Sequence, residues 1–213
     1  MVTVSRFEDS LTTENSYIVT DGTGGIVIDP GQGEEIVTFL KDRKICLDSI
    51  ILTHEHCDHM AGLGILKSAF PDTPVIASTA CSRNLSDTKL NMSGRMDLYL
   101  LFLNKQAAKQ KYPKIVYGRT EIEIAENSRF FWRDHKLEFT LLPGHTPGGM
   151  GILLDGEHFF SGDYLIRDQK TITRFPGGDE MVYEQITKPF LKKLKKQTHI
   201  WPGHGTDYIW EGV

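Results

Sequence analysis

The sequence predicts an α/β (α+β) protein built from two similar β/α halves. Three observations support this fold class. Strand-like segments followed by helical segments occur in both halves of the chain, and a region rich in Leu, Met, Lys and Gln at 86–113 separates the halves. The 213 residues are 39% hydrophobic, which is enough to bury a sizeable core. We therefore expect a single domain over 1–213 with a helical connecting segment around 86–113.

The first half alternates short strands with helices. Three strands separated by turn-forming residues suggest an antiparallel meander, and the sharp turn Asp29-Pro30-Gly31 ends the third of them. Amphipathic spacing then predicts a helix, and a short β-branched apolar run predicts a buried strand. In chain order the expected elements are strands at 3–7, 16–20 and 25–28, a helix at 34–43, a strand at 49–52, a helix at 60–70, a strand at 73–77 and a helix at 79–85.

The second half begins with the connecting segment, which we expect to form one or two helices. These helices could cover a pocket, make a subunit contact or pack onto the core, and the residues do not decide among the three. Strand patterns then return at 121–125, 129–133 and 137–142.

Charge and composition restrict the function classes. With 24 basic and 28 acidic residues the net charge is -4, which gives no support to nucleic-acid binding. No stretch approaches eighteen uninterrupted apolar residues and the N-terminus lacks a signal-peptide pattern, so we expect a cytoplasmic protein without a membrane partner. The three cysteines, Cys46, Cys57 and Cys81, fit reduced thiols, with Cys57 pointing into the protein.

The stretch 52–62 reads LTHEHCDHMAG and concentrates the chemistry. Three of the eight histidines fall within six residues of a strand-to-helix loop. Imidazole and carboxylate ligands together suit zinc, iron or manganese. Alternation places His54 and His56 on one side of an extended segment, and Asp58 and His59 follow where the chain turns. This arrangement predicts a two-metal site.

Three stretches of the second half place polar groups on strand ends in the same way. His145 in LLPGHTPGG completes a three-histidine set, Asp163 in FFSGDYL is placed to bridge two ions, and His204 in IWPGHG is a partner for the second ion. Asp29 is a candidate hydrogen-bond partner for a ligating histidine, because such rings usually donate their free N–H to a carboxylate or carbonyl. A turn residue that caps the following loop is the alternative role for Asp29.

The motifs THEHCDH, PGHTPGG, SGDYL and PGHG, in this order, resemble the metallo-β-lactamase-fold hydrolases, and in particular the short single-domain relatives of glyoxalase II, the hydroxyacylglutathione hydrolase. The resemblance implies a four-layer αββα sandwich with the site at one edge. It also implies two divalent ions, zinc in the first instance with iron or manganese as alternatives. Implied ligands are His54, His56 and His145 for one ion, Asp58, His59 and His204 for the other, and Asp163 as the bridge.

Two departures from this pattern bear on the substrate. Glyoxalase II has a helical domain after the last metal histidine, whereas this chain stops nine residues after His204. In the short relatives the segment before PGGD tends to read IGRTDL, but Thr173 stands here for the expected Gly and Phe175 for the expected Asp. Candidate substrate contacts are Tyr164, Arg167 and Arg174, with a core role for the tyrosine and a solvated role for the arginines as alternatives.

The ligand set implies hydrolysis of a small molecule. Two divalent ions about 3.5–4 Å apart lower the pKa of a shared water towards 7, and Asp58 is the catalytic residue expected to orient it. A thiolate leaves readily because the thiol pKa is near 8.5, which favours a thioester of the hydroxyacylglutathione type or a small ester over an amide. The alternatives are a mononuclear-iron persulfide dioxygenase, a lactonase or β-lactamase, and a non-enzymatic scaffold. The oligomeric state stays open, with a homodimer as one option.

Overall fold

Two six-stranded β-sheets packed face to face form the centre of the computed structural model, which describes residues 1–103 and 112–212. The strands of the first sheet, in spatial order, are β1 (Thr3–Glu8), β2 (Asn15–Thr20), β3 (Gly24–Ile28), β4 (Cys46–Ile51), β5 (Val75–Ser78) and β6 (Ile122–Ile124). Those of the second sheet are β12 (Tyr208–Ile209), β11 (His199–Pro202), β10 (His158–Gly162), β9 (Met150–Leu154), β8 (His135–Leu141) and β7 (Ser128–Trp132).

The first sheet changes from antiparallel to parallel at β3. Strands β1, β2 and β3 pair antiparallel, and the register aligns Tyr17 with Ile28. Helical crossovers then make β3, β4, β5 and β6 parallel. Parallel strands covered on both faces are apolar along most of their length, and every residue of β3 and β5 is buried. The expected antiparallel meander at the start of the chain is confirmed.

Among the residues that the structure describes, four helices cover the outer face of the first sheet, and one helical segment covers the second. The helices are α1 (Glu34–Asp42), α2 (Leu63–Ala69), α3 (Thr79–Asn84) and α4 (Met96–Leu103). The segment at 180–191, here called α5, joins an α-helical turn (Glu180–Val182), a π-helical turn (Tyr183–Thr187) and a further α-helical turn (Lys188–Leu191).

Three clusters of buried hydrophobic side chains among the described residues pack these layers together. One lies between the two sheets and joins residues such as Ile26 and Ile76 of the first to Phe139 and Phe160 of the second. A second cluster packs the first sheet against its helices, and a third packs the second sheet against α5. The layers therefore form an αββα sandwich, which confirms the predicted fold class.

Several elements differ from the sequence prediction. The helix expected at 60–70 is a 3-10 turn, Cys57–Met60, followed by α2, with Gly62 at the N-cap of α2. The backbone at Gly62 lies so close to Gly33 that a side chain at position 62 would clash. Strand β9 and segment α5 were not predicted. Of the connecting segment 86–113, the structure shows α4, and 104–111 lie outside the described residues.

In the part of the chain that the structure describes, no helix combines the length and the hydropathy that crossing a membrane requires.

Candidate metal centre

Strand direction brings the polar motifs to one edge of the sandwich. The LTHEHCDHMAG loop follows β4, and Asp29 follows β3, which runs parallel to β4. In the second sheet, β8, β10 and β11 run in the same direction, since β8 and β10 are both antiparallel to β9 and β10 is parallel to β11. The ends of these strands carry His145, Asp163 and His204. The carboxyl ends of strands that run the same way meet at one edge of a sheet, which is where the side chains converge.

A first group of side chains, His54, His56, His145 and Asp163, offers ligand atoms that all lie within 4.8 Å of one another. The Nε2 atom of His145 is 3.1 Å from Nδ1 of His56 and 3.4 Å from Oδ2 of Asp163. Asp163 is half-buried, whereas the three histidines are buried.

A second group, Asp58, His59 and His204, meets the same distance criterion. The Nε2 atoms of His59 and His204 are 3.2 and 3.6 Å from Oδ1 of Asp163, and Nε2 of His204 is 3.7 Å from Oδ2 of Asp58. One oxygen of Asp163 therefore faces the first group and the other faces the second group. This is the position that the sequence assigned to a bridging carboxylate.

Hydrogen bonds on the outer side of the rings fix which nitrogen faces the centre. The Nδ1 atom of His145 is 2.6 Å from the Ile172 carbonyl oxygen, to which only a protonated nitrogen can donate. Nδ1 of His59 is 3.0 Å from Oδ2 of Asp29, a carboxylate acceptor. In its neutral form each ring therefore carries its proton on Nδ1 and leaves an unprotonated Nε2 that points inwards.

His54 is held by a relay through Thr53. The Thr53 hydroxyl donates to Oδ2 of Asp29 at 2.6 Å, so its lone pair accepts from Nδ1 of His54 at 3.0 Å. The Thr53 backbone N–H donates to Oδ1 of Asp29 at 2.7 Å. Asp29 thus orients one ring of each group. It also ends β3 with a φ of 51°, so both roles weighed from the sequence, ring partner and turn residue, describe its position.

Burial and the neighbouring charges shift the pKa values in opposite directions. Burial, reinforced by neighbouring imidazoles, holds the pKa values of His54 and His56 well below their usual range. Burial also lowers the pKa of His59, but Asp163 and Asp29 outweigh it and raise that pKa well above its ordinary value. For Asp163, burial is outweighed by His204 and His59, which keep its pKa well below the usual range.

The residues fit a pair of divalent ions. Among the described residues, Nε2 of His54, Nε2 of His59 and Oδ1 of Asp163 are buried and form no hydrogen bond. Buried polar atoms without a partner are costly, and here all three belong to side chains of the two groups. Nitrogen and carboxylate oxygen are the donor set that zinc, iron and manganese accept.

Two buried carboxyl groups support the centre and were missed as functional residues. Glu55 accepts hydrogen bonds from Asn84 and from the hydroxyl of Thr146, both at 2.8 Å, and so ties the loop after β4 to α3 and to the loop of His145. Glu14 lies 4.0 Å from His59. Burial raises the pKa values of both carboxyls. The sequence indicated only that Glu55 stands among the histidines, and an exposed surface loop can show the same pattern.

The other candidates lie outside the centre. Tyr164 is buried, and its hydroxyl donates to the carbonyl of Leu142 and accepts from the backbone N–H of His145, so it supports the ligand loop. Arg167 is exposed, with its guanidinium 4.9 Å from the ring centre of Tyr208. Arg174 is also exposed. Of the cysteines, Cys57 lies in the core beneath the first sheet, as the sequence predicted.

A mainly apolar cover lies beside the metal centre. A small cavity of about 20 Å³ is lined by His56, Asp58, Asp163 and His204 below and by four other side chains above. The four upper side chains are Met92, Met96, Tyr99 and Phe175. Phe175, which stands where the resemblance predicts aspartate, packs edge-on against the His56 ring at 5.8 Å and the Tyr99 ring at 5.5 Å. Neither Met92 nor Tyr99 was expected at the centre from the sequence.

The fold and the paired His/Asp groups together define a class of metal-dependent hydrolases. A model of the Metallo-beta-lactamase superfamily matches residues 10–200, and the chain belongs to this superfamily.

Particular relatives narrow this assignment. The chain is 29% identical over 201 residues to a probable metallo-hydrolase of Streptococcus pyogenes, covering 90% of this chain and 79% of the relative. It is 43% identical over 191 residues to a hydroxyacylglutathione hydrolase of Bdellovibrio bacteriovorus, with 88% of this chain covered but only 62% of the relative. The chain thus spans less than two thirds of that relative's length. These matches support a hydrolase enzyme of the glyoxalase II-like branch.

A solved structure supports the fold. TTHA1623, determined in a di-iron-bound form, superposes with a TM-score of 0.73 at 27% identity and covers 96% of this chain and 94% of its own. The likeness extends over the whole sandwich, in agreement with the fold described above.

Proposed function

We propose that the chain is a dinuclear metal-dependent hydrolase, with zinc as the ion, that acts on a thioester of the hydroxyacylglutathione type or a related small ester. One observation carries the proposal: Asp163 presents one carboxylate oxygen to the first group and the other to the second group. A mononuclear site would need only one group. The second group therefore favours the two-metal hydrolase over the mononuclear-iron dioxygenase.

Divalent ions, when bound, supply a water of lowered pKa and polarise a carbonyl oxygen. The chain's own residues do the rest. Asp58 lines the cavity and is buried, so its carboxylate accepts a hydrogen bond from the attacking water and directs it towards the carbonyl carbon. The Asp29 relay and the Ile172 carbonyl keep the histidine rings from rotating. Ring orientation fixed in this way preserves the site between turnovers.

The proton donors in the cavity indicate which leaving group the reaction can use. Among the described residues that line the small cavity, Tyr99 is the one uncharged hydroxyl donor. Burial, with added repulsion from Asp58 and Asp163, raises its pKa to about 12. Such a phenol is a weak proton donor at neutral pH, which disfavours amide cleavage. A thiolate needs no proton from the protein, because the pKa of a thiol is only about 8.5.

The test combines metal content with turnover on one sample. Protein purified without added metal should contain close to two divalent ions per chain by elemental analysis and should hydrolyse an acylglutathione thioester. His56→Ala should lower the metal content and abolish turnover, whereas His135→Ala, a histidine paired with Asp155 outside the centre, should change neither. One iron per chain with oxygen uptake on a persulfide and no thioester turnover would contradict the proposal.

A further inference from the structure

The cover above the metal centre is made of side chains that ion binding does not require. Met92 and Met96 are buried, and Tyr99 and Phe175 are partly buried. They line the same cavity as Asp163 and His204. A cavity of about 20 Å³ has room for roughly one water molecule. A substrate group larger than water that enters this cavity must therefore displace part of the cover.

The reaction decides which part of the substrate lies there. In thioester hydrolysis the carbonyl carbon must come within reach of Asp58 and of the space between the two groups, which is the space that the cavity occupies. The acyl chain is attached directly to this carbon and must enter with it. The thiol carrier extends from the sulfur in another direction and can remain outside the cavity.

The chemistry of the cover is apolar and adaptable. Methionine is unbranched and flexible, so it fills a gap and yields when a ligand enters. Phe175 and Tyr99 pack edge to face at 5.5 Å, which makes the aromatic side of the cover more rigid. A surface of this kind binds alkyl groups favourably. The small volume of the cavity limits the length of the alkyl group.

We propose that Met92, Met96, Tyr99 and Phe175 form an acyl-binding wall that selects thioesters of short alkyl acyl groups. The inference rests on the proposed function, and it names the substrate class and the residues that determine specificity. We assign the length limit to Met96, which lies on α4, and to Phe175, which lies on the loop before α5, because both line the cavity.

The first experiment is a chain-length profile. Acylglutathione thioesters from acetyl to octanoyl are compared by kcat/KM, and a second series varies the thiol carrier with the acetyl group held constant. For the wild type, kcat/KM should be highest for the short acyl groups and fall for the long ones. In Met96→Ala, the ratio of hexanoyl to acetyl kcat/KM should rise by about tenfold or more, since each accommodated methylene contributes about fourfold.

Matched variants separate the wall from general effects of mutation. Leu98 lies on the same helix but is 60% exposed, so Leu98→Ala should keep the wild-type profile. Because Met96 is buried and its truncation could impair folding, Phe175→Leu is the second variant and should also shift the profile towards longer chains. If kcat/KM varies with the thiol carrier and does not vary with the length of the acyl group, the proposed acyl-binding wall is wrong.

A binding measurement tests the wall independently of turnover. Cobalt-substituted protein is titrated with straight-chain carboxylates from acetate to octanoate, and the visible absorption of the ion reports binding. Affinity should pass through a maximum at a short chain in the wild type and at a longer chain in Met96→Ala. If no thioester is hydrolysed but this shift occurs, the proposed reaction fails while the wall stands. Identical length dependence in both proteins refutes the wall.

Discussion

Replacing Asp29 with asparagine should weaken metal binding in a defined order. Asparagine keeps the shape of the side chain and tolerates the φ of 51° found at this position, so the backbone is preserved. Its carbonyl oxygen can still accept from the Thr53 backbone N–H. Its NH₂ group takes the place of Oδ2, which accepts from Nδ1 of His59 and from the Thr53 hydroxyl in the wild type.

The magnitude follows from the tautomer of His59. An amide that donates to Nδ1 requires the proton to sit on Nε2, and a protonated Nε2 cannot bind a metal. Loss of such an outer partner typically lowers metal affinity by about 10–100-fold, or about 1.4–2.7 kcal/mol. The loss should be largest for the ion held by the second group. The first group, which Asp29 reaches through Thr53 and His54, should lose less.

The assay is a competition titration with a chromophoric chelator, which resolves the two affinities, together with elemental analysis. Asp155→Asn is a matched control, because Asp155 pairs with Nδ1 of His135 at 2.6 Å far from the centre. The control should bind two ions as the wild type does. Two ions bound with unchanged affinity in Asp29→Asn would refute the role assigned to Asp29.

Three further predictions concern the same centre. In Gly203→Ala the new methyl group would meet Oδ1 of Asp163 and the His59 ring, so elemental analysis should find fewer bound ions, whereas Gly118→Ala, which meets no atom within 4 Å, should bind the wild-type amount. On acidification the ion of the second group should leave first, because the raised pKa of His59 in the metal-free chain lets a proton compete with the ion at neutral pH. The lowered pKa values of His54 and His56 keep these rings of the first group neutral at pH values below about 6.5. Dialysis at stepped pH should show a plateau at one bound ion, and simultaneous release of both ions would contradict this prediction. Tyr164→Phe should lower the free energy of unfolding in urea by about 1–3 kcal/mol, since two buried backbone groups lose their partner, and an unchanged midpoint would show that the hydroxyl is dispensable.

The positions of the candidate ligands could be predicted because their signal is local. His54 and His56 alternate along an extended segment, and strands of one direction deliver Asp163 and His204 to the same edge. The alternation can be read from the sequence and the complete ligand set was implied by the resemblance, whereas the strand directions come from the structure. Strand β9 was missed although it lies in the centre of the second sheet, because its run Met150–Leu154 directly follows the turn residues of the His145 motif and carries no boundary signal of its own.

Burial explains what the sequence could not show. Glu55 and Glu14 look like ordinary polar residues until the sheets pack and remove them from water. Tyr99 lines the centre from α4 and Met92 from the segment before it, a placement that depends on tertiary packing and not on local propensity. A residue such as Phe175 could be noticed as a departure from a pattern, but its contacts with His56 and Tyr99 required the structure.

The wide separation of the ligands along the chain also affects the conformational entropy of the unfolded state. His56 and His145 are 89 residues apart in the chain, and their ring nitrogens lie 3.1 Å from each other. Ions held between the two halves act as a removable cross-link, comparable to a disulfide that closes a long loop. In the chain-entropy model, closing a loop of this length removes about 4–5 kcal/mol of freedom from the unfolded ensemble. Metal supply would then govern how long the protein survives proteolysis as well as how fast it works.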